Sequence, residues 1–465
     1  MSYQNRPAEE ACLLGHLIAG ECCAVVGLSN TGKSALLHSV AASTAWKEQA
    51  LLFYIDCNRM LNLSEQGFYE AILRAVRARL SERQAPAEML ERLEQDYQQV
   101  VNPAGQLAIP LGFTNALERL CEEERRITLI LDEFDEPFEA LDGRAFLNLR
   151  ALHDRYRHRL TYVTATAHTL EEIRDDRETG EFRELFVGRV CRLKMLEAEA
   201  TRALIVEMAA QENLAPSEEE ISFVAAASGG HPGLVQHITR LLLRARFSAP
   251  RTYAQMGVAL VKEALVSDEA ICGECKRLWA QLAPSEREAI LALTRGEKLS
   301  KPQRERLELL GLVDSEGKAA VGALAVFARQ QQARRKEAPP GVWIDEEAGE
   351  VYVDGQQIAA LSELEYRLLR SLYRRQGKLC DKYRLVEEVW GDSYIDEVDD
   401  ARIEKLVSRV RAKIEQDPAA PRYLVTVRGR GYRLQGRGGQ GDKETRGQGD
   451  KGTRRRGDGE EGRDV

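Results

Sequence analysis

Short apolar runs alternate with longer amphipathic segments along residues 1–195. The apolar runs are continuous, which is typical of strands buried on both faces of a parallel sheet. They cover residues 22–26, 51–55, 127–131 and 160–165. Segments between them, such as 68–80 and 114–125, carry helical periodicity. Strands that alternate with helices in this way predict an α/β layered domain.

The pattern becomes wholly helical from residue 196. Helices are predicted over 197–213, 217–227 and 233–245, with a Gly229-Gly230-His231-Pro232 break before the last one. We interpret residues 196–267 as a helical lid. Residues 268–332 predict three more helices, over 275–282, 284–293 and 301–310, and then a hairpin signal. That order is the layout of a winged helix.

The C-terminal part begins after a polar, charged linker, residues 333–341. Residues 342–434 predict a compact α+β domain: a hairpin with an Asp-Gly turn at 351–358, helices at 382–389 and 401–414, and two strands around a glycine turn at 423–434. Residues 435–465 consist almost entirely of glycine and charged residues. Such a segment buries too little apolar surface to offset its chain entropy, so we expect a disordered tail.

The composition is that of a multidomain globular protein, with 465 residues, 43% of them hydrophobic, and a net charge of -8. This charge argues against a protein that coats nucleic acid along its whole length, but it permits a local basic patch. The N-terminus lacks a signal-peptide pattern, and we expect a cytoplasmic protein without a membrane span. The nine cysteines are odd in number and irregularly spaced, so they do not predict a disulfide framework. Cys272 and Cys275 form a Cys-x-x-Cys pair without further zinc ligands nearby, so buried thiols are favoured there.

A phosphate-binding motif follows the first predicted strand. Gly27-Leu-Ser-Asn-Thr-Gly-Lys-Ser34 matches G-x-x-x-x-G-K-[ST] and opens a predicted helix. Backbone N–H groups of such a loop surround phosphate oxygens, Lys33 reaches the β- and γ-phosphates, and Ser34 ligates Mg²⁺. The predicted nucleotide contacts are Gly27, Asn30, Thr31, Gly32, Lys33 and Ser34. A chance match in a tight strand–helix turn is the alternative.

Two carboxylates end the third apolar run. Asp132 is assigned to Mg²⁺, and Glu133 is assigned as the catalytic base that activates water, with Lys33 as the second catalytic residue. A solvated strand end is the alternative for the carboxylates. Thr166, after the next run, is placed beside the γ-phosphate, although it and Thr164 are equally compatible with packing.

These motifs and the helical lid resemble the STAND ATPases of the AAA+ class, whose relatives are the origin-recognition ATPases. The resemblance covers residues 6–330 and implies ATP and Mg²⁺ as cofactors. It also implies that His231 and Pro232 lie against adenine, whereas the residues alone are equally typical of a helix start. Arg183, Arg189 and Arg240 are candidates for an arginine that contacts the γ-phosphate, but the sequence favours none of them. We therefore expect at most weak ATPase activity.

Residues 342–434 resemble the winged-helix effector domain of OmpR/PhoB-type response regulators. The resemblance rests on the 403–414 helix pattern and on the closing Thr426-Val-Arg-Gly-Arg-Gly-Tyr432. One face of that helix is apolar, and the rest is a basic stripe that suits a major groove. A glycine-flanked wing tip suits the adjacent minor groove. The predicted DNA contacts are Arg402, Lys405, Ser408, Arg409, Arg411, Lys413, Thr426, Arg428 and Arg430.

The order of domains favours an ATP-dependent, DNA-binding transcriptional regulator in signal transduction, because an ATPase occupies the place of the usual receiver domain. Its expected partners are double-stranded DNA, further copies of the chain and an unidentified sensor protein. A DNA-stimulated initiator or remodelling ATPase anchored by the winged helix is the alternative. A signalling or defence scaffold is a third hypothesis, but the repeat region that it would need is not evident in the sequence.

Overall fold

The computed structural model describes residues 6–42, 50–123, 126–265, 267–314, 316–337, 341–346, 349–358, 361–390 and 400–435. The chain divides into two compact units, Met1–Ala333 and Arg334–Val465. Apart from Gln435, the predicted tail lies outside the described residues. No helix among the described residues is long and apolar enough to cross a membrane.

A parallel sheet forms the centre of the first unit, and its strand order is β2-β3-β4-β1-β5. The strands are β1 Cys23–Val26, β2 Leu51–Asp56, β3 Ile127–Asp132, β4 Leu160–Thr166 and β5 Val190–Arg192. Strands β1, β3 and β4 are buried along their whole length, as the continuous apolar runs predicted. All five strands end at one edge of the sheet, which therefore collects the loops that follow them.

Helices cover both faces of this sheet. They are α1 Pro7–Ala19, α2 Lys33–Ala42, α3 Glu65–Glu82, α4 Ala87–Val101, α5 Ala108–Glu123, α6 Asp135–Ala140, α7 Gly143–Tyr156, α8 Leu170–Ile173 and α9 Arg177–Glu184. Helices α1 and α2 pack on one face around Leu13, Leu36 and Val163. A second and larger core, which includes Phe68, Phe113 and Phe146, lies on the other face.

The remaining helices of the first unit share one hydrophobic core. They are α10 Ala198–Gln211, α11 Glu218–Ser228, α12 Pro232–Ser248, α13 Pro250–Met256, α14 Val258–Ala264, α15 Glu269–Gln281, α16 Pro284–Thr294, α17 Lys301–Leu309 and α18 Gly322–Glu337. The predicted hairpin at 311–318 is reduced to a single bridge between Val313 and Ala319. Helix α18 extends to Glu337, so the first part of the predicted linker is helical.

The second unit has two small sheets and three described helices. Its elements are β6 Val342–Asp345, β7 Glu350–Val353, β8 Gln356–Gln357, α19 Glu363–Tyr373, α20 Lys382–Trp390, α21 Asp400–Ile414, β9 Leu424–Val427 and β10 Gly431–Leu434. Strands β6, β7 and β8 form one antiparallel sheet, and β9 pairs with β10. The side chains of Leu368, Leu385 and Leu406 join the three helices in one core.

Two features of the first unit were not predicted. Cys12 and Cys191 form a disulfide, whereas the cysteine spacing predicted no disulfide framework. The error arose because the two residues are separated by 179 positions and meet only when α1 packs against β5. Strand β5 itself was not predicted, because only three residues form it and one of them is Arg192, so they give no clear apolar run.

Candidate functional site

The P-loop connects strand β1 to helix α2 at the carboxyl edge of the sheet. The Lys33 Nζ atom donates to the carbonyl oxygens of Gly27, at 2.8 Å, and Leu28, at 3.3 Å. The Thr31 hydroxyl donates to the same Leu28 oxygen at 2.7 Å. Gly32, with φ of 100°, adopts a backbone conformation that favours glycine. The loop therefore holds its lysine over its own carbonyl groups, where an anion would compete for the ammonium group.

Asp132 lies at the end of β3 and is only 1% exposed. The Tyr54 hydroxyl donates to Asp132 Oδ2 at 2.5 Å, and the Ser34 side chain lies near the same phenol. Burial, and then the Asp132 contact, raise the pKa of Tyr54, so the phenol keeps its proton. Tyr54, which no sequence motif had marked, thus contacts Asp132, one of the two residues assigned to Mg²⁺.

Glu133 follows Asp132 with a backbone φ of 53°, which is uncommon for a residue other than glycine. Backbone strain of this kind is often found at functional sites. The side chain is open to solvent at the mouth of a cavity, yet desolvation by the surrounding protein raises the pKa of its carboxyl group. Lys33 opposes this increase, whereas Asp132 and Asp135 add to it. Glu133 therefore takes up a proton more readily than an ordinary glutamate.

Thr166 is fully buried at the end of β4, beside β1. Its hydroxyl donates to the His168 carbonyl oxygen at 2.6 Å, and its own carbonyl accepts from the Gly27 N–H at 3.1 Å. The Nε2 atom of His168 is in turn 2.6 Å from the Gln281 carbonyl oxygen. The structure therefore places Thr166 against the first residue of the P-loop and connects it to helix α15.

A cavity of about 280 Å³ lies between the P-loop, Glu133 and the first turn of α12. It is lined by Asn30, Gly32, Lys33, Ser34, Ala35, Glu133, Pro232, Gly233, Gln236 and His237. Six of the predicted site residues are among them. Gly27, Thr31, Asp132, Thr166 and His231 lie behind this lining. Gln236 and His237 were missed because a helical run contains no motif that marks them.

His231 caps helix α12 and is fully buried. Its Nδ1 accepts from the Leu234 N–H at 3.2 Å, and its Nε2 donates to the Ser29 carbonyl oxygen at 2.8 Å. Burial lowers the pKa of His231, which keeps the ring neutral. Both ring nitrogens are occupied, and the side chain fastens the lid to the P-loop. The turn at 229–232 thus begins helix α12, and its Pro232 and Gly233 line the cavity.

Helix α15 supplies two further P-loop contacts that sequence reasoning missed. Glu274, which is fully buried, accepts from Asn30 Nδ2 at 2.8 and 3.1 Å, and Gln281 Oε1 accepts from the Ser29 N–H at 2.7 Å. A Cβ atom on Gly233 would lie 2.8 Å from Glu274 Oε1 and 3.0 Å from Asn30 Cβ. Only glycine permits this approach of α12, α15 and the P-loop.

The N-terminal helix also reaches the P-loop. The buried Arg6, at the start of α1, donates from Nη2 to the Thr31 carbonyl oxygen at 2.8 Å. No motif indicated this contact, because the two residues are far apart in the chain. The P-loop is therefore held by residues from α15, by His231 at the start of α12 and by Arg6 at the start of α1.

The three candidate arginines have different surroundings. Arg183 donates to Asp175 Oδ1 at 2.6 Å, and Arg189 lies 3.4 Å from Glu21 Oε2. Arg240 is exposed on α12, one turn beyond Gln236 and His237, which line the cavity. Of the three, Arg240 is the one on a cavity-lining helix.

Helix α21 of the second unit buries Ile403, Leu406, Val410 and Ile414, the face that its pattern predicted. Arg402, Lys405, Ser408 and Arg409 are exposed on the opposite side. Spacings of three and four residues place these four side chains on one helical surface. The surface is basic and lies on a single helix. A major groove is wide enough to admit one α-helix.

Arg411 and Lys413 are engaged within the unit, and the exposed Arg409 also has its Nε atom 3.9 Å from Glu365 Oε1. Arg411 donates from Nε to the Leu424 carbonyl oxygen at 2.8 Å and from Nη2 to the Thr426 hydroxyl at 2.7 Å. Lys413 Nζ lies 2.8 Å from Glu365 Oε2. Burial raises the pKa of Glu365, but the hydrogen bond from Lys413 and the backbone N–H of Ser362 outweigh it, and the net shift is downward. These contacts join α21 to β9 and to α19.

The hairpin of β9 and β10 carries Arg428 and Arg430 at its exposed tip, on either side of Gly429. At its base, a Cβ atom on Gly431 would lie 2.1 Å from the Cys380 carbonyl oxygen, so the close approach to residue 380 requires glycine. Arg433, which was not among the predicted DNA contacts, is exposed on β10. The wing therefore presents cations along one side and at its tip.

The second unit matches a known family. Residues 355–434 match the family described as "Transcriptional regulatory protein, C terminal". The sensory transduction protein RegX3 of Mycolicibacterium smegmatis is 43% identical over 100 residues, which are 22% of this chain and 42% of the relative. The chain thus spans less than half of the length of that curated relative.

Two solved structures resemble the two units separately. The Walker-type ATPase paby2304 of Pyrococcus abyssi is 17% identical, with a TM-score of 0.47, and the match covers 70% of this chain and 95% of that one. The Klebsiella pneumoniae RstA DNA-binding domain, solved in complex with the RstA box, is 26% identical with a TM-score of 0.19, over 21% of this chain and 94% of that one. At these scores the likeness is loose, and the nature of the first unit follows from its strand order and its P-loop.

The C-terminal prediction is confirmed: residues 355–434 form a transcription-regulator DNA-binding domain of the OmpR/PhoB type. The first unit is an α/β P-loop fold with a parallel sheet, again as predicted. The chain therefore combines a P-loop ATPase fold with a transcription-regulator DNA-binding domain. This domain is called the reader.

Proposed function

We propose that this chain is a transcriptional regulator in which the nucleotide state of a STAND/AAA+-like ATPase controls a C-terminal winged-helix reader. The observation that carries the proposal is the direct bonding of the P-loop to helix α15. Asn30 and Ser29 are held by Glu274 and Gln281, at 2.7 to 3.1 Å. A change in the P-loop therefore acts on the helices that precede the reader.

The residues around the cavity fit ATP and Mg²⁺. Among the described residues, Lys33 is held by backbone carbonyl groups alone, so its ammonium group can move to phosphate oxygens without separating an ion pair within that part of the chain. The Ser34 hydroxyl and the Asp132 carboxylate converge on Tyr54 and supply the oxygen ligands that Mg²⁺ prefers. Bound Mg²⁺ would neutralise phosphate charge and orient the terminal phosphate group.

Nucleotide binding would rearrange a connected set of contacts. Lys33 leaves Gly27 and Leu28 to reach phosphate, and the Ser29 N–H and the Asn30 amide belong to the same loop. Thr166 transmits the state of the neighbouring strand through His168 to Gln281. A ligand shifts such an equilibrium only by its differential affinity for the two arrangements. We propose that ATP favours an arrangement in which the α15 contacts are altered.

Hydrolysis is assigned to Glu133, which takes a proton from the attacking water. Its side chain faces the cavity, and its raised pKa places the acid–base transition closer to neutrality than in an ordinary glutamate. We assign the phosphate-contacting arginine to Arg240, which is exposed on the lid helix one turn beyond two cavity-lining residues. We expect slow turnover by the isolated chain, with ATP binding as the main switching event.

The proposed partner of the second unit is double-stranded DNA. Arg402, Lys405, Ser408 and Arg409 would enter the major groove, and Arg428 and Arg430 would enter the adjacent minor groove. Arg411, Lys413 and Thr426 would hold the helix against the hairpin rather than read bases. Self-association on paired half-sites, with a sensor protein as input, completes the proposal.

The test is duplex binding by the full chain, with a fluorescent duplex selected by that chain from a random-sequence pool. Affinity is measured with Mg²⁺ and ATP, with Mg²⁺ and ADP, and without nucleotide. We expect at least about a fivefold difference between two of these states, the lower end of typical allosteric couplings. Lys33→Ala removes the difference, whereas Lys194→Ala, at an exposed lysine outside the cavity, retains it. Equal affinity in all three states, with ATP binding intact, contradicts the proposal.

A further inference from the structure

A cluster of sulfur and imidazole ligands lies on the face of the sheet that carries helix α1. Ligand atoms of Cys12, His16 and Cys191 all lie within 4.8 Å of one another. The Sγ atom of Cys23 is 3.5 Å from that of Cys191. Neither the ATPase nor the reader uses these residues. Cys12, His16 and Cys191 converge on one point, and Cys23 lies beside Cys191.

The positions of the four residues follow from the elements that carry them. Cys12 and His16 are one helical turn apart on α1 and so share a face. Cys23 and Cys191 lie on the neighbouring parallel strands β1 and β5 and contribute to the core between these strands and α1. Two ligands from a helix and two from a sheet can surround an ion on four sides.

We propose that the reduced chain binds a thiophilic divalent cation, Zn²⁺, at Cys12, His16, Cys23 and Cys191. Three thiolates and one imidazole are a common ligand set of structural zinc sites. Tetrahedral coordination with Zn–S bonds of about 2.3 Å separates two sulfur atoms by roughly 3.8 Å. The present 3.5 Å between Cys23 and Cys191 is close to that separation.

A carboxylate that would orient the zinc-bound histidine is already in place. The His16 Nδ1 atom lies 2.9 Å from Glu21 Oε2, so Nδ1 carries the proton and Nε2 keeps its lone pair for a metal. Carboxylate groups commonly orient zinc-bound histidines in this way. The His16 side chain is only 24% exposed, which leaves the ion shielded but within reach from solvent. Glu21 is therefore a positioning residue for this site.

The disulfide and the metal site use the same sulfur atoms and exclude each other. Cys12 and Cys191 are joined in the present structure. Reduction by a dithiol breaks this bond with two electrons and two protons and gives two thiols, while the dithiol becomes a cyclic disulfide. Each thiol then releases its proton when its sulfur binds Zn²⁺. We expect the zinc form in a reducing compartment and the disulfide form under oxidation.

The site would fasten helix α1 to the edge of the sheet. The same helix places Arg6 on the Thr31 carbonyl oxygen of the P-loop, at 2.8 Å. Strand β1, which carries Cys23, leads directly into that loop. The ion would therefore stabilise the elements that position the P-loop, in the same place where the disulfide joins them under oxidation.

The full-length chain is reduced with dithiothreitol, desalted without oxygen and titrated with Co²⁺ as a spectroscopic probe, and then with Zn²⁺. We expect about one ion per chain, with thiolate-to-cobalt charge-transfer and tetrahedral d–d bands that Zn²⁺ removes. Cys12→Ser and His16→Ala, both at partly exposed positions, reduce the bands. Cys272→Ser, at a partly exposed cysteine on α15, leaves them unchanged. Glu21→Gln weakens binding at least about tenfold.

Two results would overturn the proposal. The first is a cobalt spectrum without tetrahedral thiolate bands in a reduced chain whose far-ultraviolet circular dichroism is that of the folded protein. The second is a set of bands that persists in both Cys12→Ser and His16→Ala, since the ion would then be bound elsewhere. Thermal unfolding of the reduced chain is an independent readout. We expect Zn²⁺ to raise the midpoint of the wild-type chain and of Cys272→Ser, but not that of Cys12→Ser.

Discussion

The carboxylate of Glu274 accepts two hydrogen bonds from the side-chain amide of Asn30, at 2.8 and 3.1 Å, and a further one from Arg277 on its own helix. Asn30 is in the P-loop, whereas Glu274 is fully buried on helix α15, 244 positions later in the chain. Asn30 also adopts a left-handed backbone conformation, with φ of 54°, which asparagine tolerates better than most residues. This pair joins the phosphate-binding loop to the helices beyond the lid.

Glu274→Ala should weaken the coupling between nucleotide and DNA. The substitution leaves the Asn30 amide without its acceptor in a buried place, which costs about 1–3 kcal/mol of stability. We expect the ATP-dependent difference in DNA affinity to shrink, while DNA affinity without nucleotide changes little. Anisotropy titrations measure both quantities. Glu269→Ala, at an exposed position on the same helix, is the control. An unchanged nucleotide effect in Glu274→Ala would show that this contact is not part of the coupling.

Glu133→Gln should abolish phosphate release and preserve ATP binding. Loss of a general base typically reduces turnover by about 10²–10⁴-fold. Because desolvation raises the pKa of Glu133, wild-type turnover should fall as pH decreases through a value above the ordinary glutamate pKa of 4.5. Phosphate release measured against pH, at saturating ATP, checks this. Glu136→Gln, at an exposed position in the next helix, should behave like the wild type. A variant Glu133→Gln with wild-type turnover would exclude the assigned role.

His231 should make the stability of the first unit depend on pH. Burial lowers the pKa of His231 below its ordinary value of 6.5, so the unfolded chain binds a proton more readily than the folded one. The contribution of His231 to the stability of the folded unit is therefore complete above pH 6.5. It is lost as pH falls through the lowered pKa of His231. His231→Asn keeps a capping side chain but does not titrate. We expect denaturant unfolding to show a smaller loss of stability on acidification in His231→Asn than in the wild type. Equal losses would contradict this explanation.

The parts of the site that were predicted from sequence are local in the chain. The P-loop, the β3 carboxylates and the apolar face of α21 each occupy a few consecutive residues, and each combines a motif with the element that carries it. Periodicity alone was enough to place β1, β3 and β4 within one residue of their bounds. Such features depend on residues that are close together in the chain. The sequence alone therefore contains the information that is needed to predict them.

The parts that could not be predicted depend on distant residues. Tyr54 meets Asp132 across 78 positions, and Gln281 meets Ser29 across 252. Arg411 has the same charge as Arg409 and lies two positions away, yet it bonds to β9 because a helix turns the two side chains in different directions. Residue type and spacing do not show which of these residues contact distant partners. The contacts become evident only when the packing of α15 and of the β9–β10 hairpin is known.

Two classes of basic residue should respond differently to substitution in the reader. Arg409→Ala and Arg430→Ala remove exposed cations, so DNA affinity should fall, and the slope of log affinity against log salt should decrease by about one for each phosphate that is no longer neutralised. Arg411→Ala should instead destabilise the second unit by about 1–3 kcal/mol, because it removes the bonds to Leu424 and Thr426. Salt titrations and thermal unfolding separate the two effects. If Arg411→Ala leaves the unfolding midpoint unchanged but lowers the slope of log DNA affinity against log salt, Arg411 contacts DNA instead.

Nucleotide-controlled DNA binding is tested most directly by measuring the reverse effect, the influence of DNA on the affinity for ATP. If ATP changes the affinity of the full chain for DNA by some factor, DNA must change the affinity for ATP by the same factor. Affinity for a non-hydrolysed ATP analogue is measured by calorimetry with and without the selected duplex, in the wild type and in Glu274→Ala. We predict equal factors in the two directions for the wild type and a factor near one for the variant. An affinity for the analogue that is the same with and without DNA in the wild type would contradict nucleotide control of the reader.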